Sequence, residues 1–148
     1  MSIDGQTDET IRAILTESRR IALIGASAKP WRASHEVMGF LLNRGFDVTP
    51  VNPRLAGQTI HGRTVVPRLA DAGAIDMVDV FRNSSHVGAI VDEAIRLGAR
   101  TIWMQLGVID RDAAARATAA GLRVVMDRCP VIEDRRIGPF RHDAIIGH

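Results

Sequence analysis

Ile21-Ala22-Leu23-Ile24-Gly25-Ala26-Ser27-Ala28-Lys29-Pro30-Trp31 is the stretch on which the fold turns. Four apolar residues run directly into Gly25, a polar loop follows, and an amphipathic stretch opens near Ser34. A short buried strand, a glycine turn and a helix make the first unit of an α/β fold, whose first loop faces the ligand's phosphates when that ligand is a nucleotide. The dinucleotide fingerprint G-x-G-x-x-G is absent: Ser27 and Pro30 stand where its second and third glycines belong. The loop therefore suits a phosphate-bearing ligand held in another way than NAD.

The same alternation continues outward from this stretch. Upstream, Thr7 caps a helix with Asp8 and Glu9 in its first turn and Ile11, Ile14 and Leu15 on one face, ending near Arg19-Arg20. Downstream, Ser34 is the expected cap of a helix that turns Val37, Phe40 and Leu41 inward and closes at Gly45. Residues 46–52 read as the second strand, and Pro50 predicts that it ends or lies partly unpaired there. Residues 57–62 read as turns and 66–70 as a short helix. Residues 77–81 form the third strand, followed by a helix capped by Ser84 or Ser85 with Val87, Ile90, Val91, Ala94 and Ile95 on its inner face. Residues 101–104 are the fourth strand, Asp110 caps an Ala-rich helix, and residues 122–126 are the fifth strand. A polar tail is expected after Pro130. This order predicts a Rossmann-like, doubly wound, mainly parallel five-stranded sheet with helices on both faces, in one domain with its core over about residues 8–137.

Composition narrows the function. The chain has 148 residues, 46% of them hydrophobic, and a net charge of +2, which suits one packed domain. Its basic residues are scattered rather than gathered on one face, so nucleic acid is not the expected partner. No apolar run is long enough to span a bilayer, and the first residues lack a signal-peptide pattern, so the expected location is the cytoplasm. The single Cys129 excludes an internal disulfide and a multi-Cys metal site. His35, His61, His86, His142 and His148 show no metal-ligand spacing.

Ligands of open parallel sheets bind beyond the carboxyl ends of the strands. Five loops lie there: 25–31, 52–55, 81–85, 104–107 and 127–130. After the second strand an NAD site carries an acid for the ribose hydroxyls. Here stand Asn52, Pro53 and Arg54. A guanidinium forks onto a ribose phosphate, as in NADP or coenzyme A, or else Arg54 is a solvated surface charge. Lys29 and Ser27 suit a pyrophosphate, although a serine here also serves a turn by bonding its own backbone. Phe81-Arg82 offers an apolar and a cationic surface to an adenine, or else is a buried strand end followed by a solvated arginine. Cys129 reads as a buried, inert thiol, and Asp127 as a loop-capping acceptor rather than a base.

Taken together, Ile-Gly-Ala-Ser (24–27), Val-Asn-Pro-Arg (51–54), Val-Asp-Val-Phe-Arg (78–82), Trp-Met-Gln-Leu-Gly (103–107) and Val-Met-Asp-Arg-Cys-Pro (125–130) resemble the CoA-binding domain family. This is the domain that also begins the α subunit of succinyl-CoA synthetase. The resemblance covers about residues 8–137. It implies coenzyme A or an acyl-CoA as ligand, held by Ser27, Ala28, Lys29 and Pro30, by Asn52, Pro53 and Arg54, and by Met104, Gln105 and Leu106; Gly25, Ala26, Phe81 and Arg82, at the same strand ends, complete the candidate contacts. The family's basic residue aligns nearest Leu55, one place beyond Arg54. The synthetases add a second domain with a phosphorylated histidine, for which this chain has no room. The expectation is thus a CoA-binding module without ligase chemistry of its own, with a protein partner or a second copy as further candidates for binding. The alternatives are a small NADP-dependent oxidoreductase and an interaction domain without ligand.

Overall fold

The computed structural model describes residues 2–142; His148, noted above for its spacing, and the last of the expected tail lie outside them. Helix α1 (Asp8–Glu17) leads into strand β1 (Arg20–Ile24), then α2 (Ala33–Asn43) and β2 (Asp47–Val51). A small hairpin, β3 (Thr59–Ile60) and β4 (Arg63–Thr64), precedes β5 (Met77–Val80). The chain continues through α3 (Val87–Leu97), β6 (Thr101–Met104), α4 (Arg111–Ala119), β7 (Arg123–Val125) and α5 (Pro130–Ile137). The main sheet is five-stranded and parallel in the order β2-β1-β5-β6-β7. The chain builds outward from β1 to β2 and then crosses over β1 to β5, so the switch in strand order falls between β1 and β5.

Alternate residues of the strands feed two cores. Leu23, Met77, Trp103 and Val125 pack with residues of α1, α2 and α5 on one face. Ala22, Val78, Ile102 and Met104 pack with residues of α3 and α4 on the other. The strands are buried on both faces, which is why they read as continuous apolar runs rather than alternating ones.

Two expected caps hold. The Thr7 hydroxyl accepts from the Thr10 N–H, and the Asp110 carboxylate from the Ala113 N–H at 2.9 Å. Other expectations need correction. Helix α2 begins at Ala33 with Arg32 in the cap position and no side-chain cap, so Ser34 lies inside the first turn, buried. A single 3-10 turn, Ser84–His86, precedes α3, and it is Asn83 whose side chain accepts from the Ser85 N–H. Residues 57–62 include the β3 strand of a two-stranded hairpin, and the short helical turn falls at Leu69–Ala72. The polar stretch after Pro130 is helix α5. Its Glu133 and Asp134 are buried against Arg128 and Arg44, so charge pairing replaces the apolar periodicity that would have marked it as a helix.

Pro50 does not end β2, which stays in register with β1 through Val51. The Pro50 carbonyl accepts from Val66 N–H on the outer edge of the sheet. A residue's N–H and C=O point to the same side of a strand, so the missing N–H also faces away from β1 and removes no bond from that ladder.

The other end of the sheet is closed by an ion cluster. Arg128, 11% exposed, donates to both oxygens of Asp4, to Glu133 and to the Gln6 carbonyl. Asp4 also accepts from Met126 N–H, and the Gln6 side chain donates to the Val124 carbonyl, so residues 4–6 cover the edge of β7. Burial opposes ionisation of Asp4, but the Arg128 guanidinium and the N–H groups of Met126 and Gln6 outweigh it and hold the carboxyl below its ordinary value. Asp4→Ala, which leaves Arg128 short of a partner, is expected to cost about 3 kcal/mol in denaturant unfolding. Asp8→Ala, which breaks the exposed pair with Arg136, should change little. With a depressed folded pKa, the Asp4 contribution is present above the unfolded value and is lost as pH falls through the folded one. The gap between wild type and Asp4→Ala should therefore narrow below about pH 4.

Candidate functional site

The loops after β1, β2 and β5 meet at the switch point and enclose a cleft of about 660 Å³. Gly25, Ala26, Ser27, Ala28 and Lys29 form one wall, Asn52, Pro53, Arg54 and Leu55 a second, and Phe81 and Arg82 a third. The start of α2, Arg32 to Ser34, completes it.

Backbone chemistry brings these loops together. The N–H groups of Gly25 and Ala26 both donate to the Val51 carbonyl, and Phe81 N–H donates to Ile24 O. The Asn52 side chain joins two walls: its amide nitrogen donates to the Ala26 carbonyl at 2.8 Å, and its oxygen accepts from Arg54 N–H at 2.8 Å. Gly25 sits at φ +88°, and a Cβ there would collide with the Phe81 carbonyl. Glycine is thus required twice over, by backbone conformation and by contact.

The Ser27 hydroxyl accepts from Lys29 N–H at 3.1 Å. It therefore serves the turn and keeps its own proton for a further acceptor. At the head of α2, the N–H groups of His35 and Glu36 bond to the Arg32 carbonyl. Those of Ala33 and Ser34 belong to the first turn, which has no intrahelical acceptor.

Charge is the cleft's plainest property. Lys29, Arg32, Arg54 and Arg82 line it, and no Asp or Glu does. Elsewhere Arg44, Arg63, Arg68, Arg96, Arg116, Arg123, Arg128 and Arg136 each pair with a carboxylate, while seven other arginines spread over the rest of the surface form no ion pair among the described residues. Among the described residues, the four cleft cations form no ion pair; Arg82 meets only the His86 ring nitrogen, at 3.1 Å. Lys29 also lies 5.9 Å from the ring of the exposed Trp31. Four cations without a paired carboxylate, next to a helix N-terminus, make the cleft electropositive and suited to an anion.

Of the residues singled out from sequence, Gly25 to Lys29, Asn52 to Arg54, Phe81 and Arg82 share this cleft. Pro30, Met104, Gln105 and Leu106 are not among its lining. Met104 is buried in the core under α3 and α4, Gln105 is buried, and Leu106 is exposed at the tip of its turn. Sequence reasoning missed Arg32 and Ser34. The signal lay in the helix start: placing it at Ala33 instead of Ser34 aims Arg32 at the loop it follows.

The last two loops are knit to each other. Asp127, at φ +60°, accepts from Gly107 N–H at 2.7 Å. Trp103 Nε1–H donates to Arg128 O, and Arg128 N–H to Met104 O. Asp127 thus acts as a loop-capping acceptor. Cys129 is a buried free thiol at the head of α5. Among the described residues, no three His, Cys, Asp or Glu side chains gather as metal ligands, and no helix is long and apolar enough to cross a membrane.

The fold defines an α/β domain of the Rossmann type, with this cleft at its switch point. The sequence profile of the CoA-binding domain family matches residues 19–135, and the chain belongs to that family. The curated protein YneT of Bacillus subtilis strain 168 is 33% identical over 119 residues, covering 80% of this chain and 87% of that one. A solved structure from Pyrococcus horikoshii OT3 superposes with a TM-score of 0.87 at 41% identity, covering 93% of this chain and 96% of that one. The dinucleotide-forming acetyl-coenzyme A synthetase 1 of Ca. Korarchaeum cryptofilum shares the fold at a TM-score of 0.64 and 21% identity, over 77% of this chain and 27% of its own.

Gly25→Ala tests how far the cleft depends on the close approach of its loops. The strained backbone and the contact with Phe81 together predict a loss of about 1–3 kcal/mol in thermal or denaturant unfolding. Gly57→Ala shares a positive φ but has no neighbour within 4 Å, and should lose less.

Proposed function

We propose that this chain binds coenzyme A or an acyl-CoA in the cleft between the β1, β2 and β5 loops, without making the thioester itself. The observation that carries the reading is the set Lys29, Arg32, Arg54 and Arg82 around a cleft free of carboxylates. Membership of the CoA-binding domain family supports the choice of ligand. Coenzyme A carries a pyrophosphate and a ribose 3′-phosphate, and each finds a fitting environment. The Ser27–Lys29 turn and the free N–H groups of Ala33 and Ser34 suit the pyrophosphate. Arg54, held by Asn52 on the facing wall, suits the ribose phosphate. Phe81 and Arg82 give the base an apolar and a cationic surface.

What the chain's own residues do is bind and orient. The cleft offers donors and cations and no carboxylate to act as base. His86, the histidine placed beside it, bonds to Arg82. An activity built on this domain would draw its reacting groups from a partner or a further domain. Localisation in the cytoplasm, where coenzyme A is available as a soluble ligand, agrees with this reading.

Calorimetry with coenzyme A and dephospho-CoA tests it. Wild type should prefer coenzyme A, and Arg54→Ala should lose about tenfold to a hundredfold in affinity for it while changing little toward dephospho-CoA. Equal affinity of wild type for the two ligands would remove the phosphate from Arg54, and tighter binding of NADP would replace the ligand. Incubation with carboxylic acids, coenzyme A and ATP or GTP should yield no thioester; turnover lost on changing one histidine would overturn the non-catalytic part.

A further inference from the structure

Trp31 is the most exposed large apolar side chain among the described residues, at 77%, whereas Trp103 is wholly buried with its Nε1–H on the Arg128 carbonyl. An indole is one of the largest apolar surfaces a side chain carries, and leaving it in water forgoes the burial that would make it stabilising.

The backbone fixes it in that place. Arg32 N–H donates to the Lys29 carbonyl at 3.0 Å, which closes a turn with Pro30 and Trp31 at its centre. Proline in the second position of such a turn presets the bend. Both ends of the turn are tied. Lys29 N–H donates to the Ser27 hydroxyl, and the Arg32 carbonyl accepts from the N–H groups of His35 and Glu36 at the head of α2. Lys29 and Arg32 line the cleft and Trp31 does not, so the ring stands on the rim between two lining cations.

The ordinary structural roles for such a ring are unfilled. An apolar residue just before a helix cap packs on the fourth residue of the helix when that residue is apolar; in α2 it is Glu36. No aromatic ring stacks on Trp31 among the described residues. Lys29 Nζ, 5.9 Å from the ring centroid, is at the outer limit of a cation–π contact, and an exposed contact of that kind contributes little.

We propose that Trp31 is a specificity-determining binding residue, whose ring covers the part of the ligand that lies beyond the pyrophosphate from the ribose. The proposal rests on the coenzyme A reading of the cleft. With the ribose phosphate at Arg54 and the base at Phe81 and Arg82, a pyrophosphate between Lys29 and Arg32 leaves its other substituent at this turn. In coenzyme A that substituent is the pantetheine arm, which starts with a carbon bearing two methyl groups. The methyl groups meet the ring face and shield it from water. NADP would put a second ribose there, whose hydroxyls lose water against an indole and gain no hydrogen bond from it. The cations hold phosphate whichever ligand brings it, and Trp31 selects the arm.

Calorimetry compares coenzyme A with 3′-phospho-ADP, which keeps the base and the phosphates and lacks the arm. Trp31→Ala should bind coenzyme A about tenfold more weakly and 3′-phospho-ADP as wild type does. Trp31→Phe should recover most of the loss. Thermal unfolding of Trp31→Ala should match wild type, since the ring has no place in the core. Equal losses for the two ligands, or no loss for either, overturn the proposal. Fluorescence reads the ring directly. Wild-type emission should move to shorter wavelength with coenzyme A and not with 3′-phospho-ADP, and Trp31→Phe, which keeps only the buried Trp103, should show no such shift. Unchanged wild-type emission at saturating coenzyme A overturns the proposal. So does the same shift on raising protein concentration without ligand, which would assign the ring to a second copy of the chain. Failure of wild type to bind either ligand would refute the coenzyme A reading itself, whereas binding of both with no effect of Trp31→Ala would refute the role of Trp31 and leave that reading standing.

Discussion

One side-chain amide holds the cleft together. Asn52 ends β2 and reaches across to the Ala26 carbonyl, while its oxygen anchors the Arg54 N–H. The loop after β1 and the loop after β2 thus become one surface, with Lys29 on one side and Arg54 on the other. An acidic side chain could not make this clamp, because an ionised carboxylate has no N–H to give to a carbonyl. The requirement for an amide also leaves this position without the negative charge that would repel a ribose phosphate. Gly25 is the second half of the arrangement. Its missing Cβ lets the β1 and β5 loops touch, which closes the third wall.

Charge is distributed by the same logic of neighbours. Arginine makes up nearly all of the basic residues, with Lys29 the single lysine, and two groups of them stand in contrast. Around α5 they are nearly buried and matched: Arg128 with Asp4 and Glu133, Arg44 with Asp134. In the cleft they are unmatched. A buried guanidinium must be paired because its desolvation is costly. A cation on an open cleft keeps its water until an anion arrives. The first set contributes to stability, and the second leaves the cleft electropositive. Arg128 shows the difference well: it adjoins Cys129 in sequence, but its guanidinium faces carboxylates.

The elements that were legible in the sequence are those whose signal is apolar. β1, β5, β6 and β7 appear as runs of Val, Ile, Leu and Met, and α3 as a clear inner stripe, because burial between two layers demands it. α5 was not legible: its inward positions include Glu133 and Asp134, which read as solvent-facing until Arg128 and Arg44 are seen beside them. The β3–β4 hairpin, with two residues in each strand, carries too little pattern to stand out from turns. Of the candidate site, most of the loop residues after β1, β2 and β5 come together, since strand ends alone locate them. Arg32 and Ser34 enter because α2 starts one residue earlier than its serine suggests. Gln105, at a strand end like the others, turns instead toward Asp79.

The sequence by itself determined the strand–helix alternation, the parallel sheet with two covered faces, and the loops from which a ligand site would be built. Each follows from local rules: apolar runs for strands buried on both faces, glycines where helices close, and polar loops at strand ends. Only the tertiary structure decided which loops share a cleft, because strand order β2-β1-β5-β6-β7 is a matter of crossovers that no local pattern records. It also decided which charges are free, since pairing joins residues as distant as Asp4 and Arg128. And it placed Asp79, one more residue in an apolar strand by sequence, in a dry sheet with the Gln105 amide beside it.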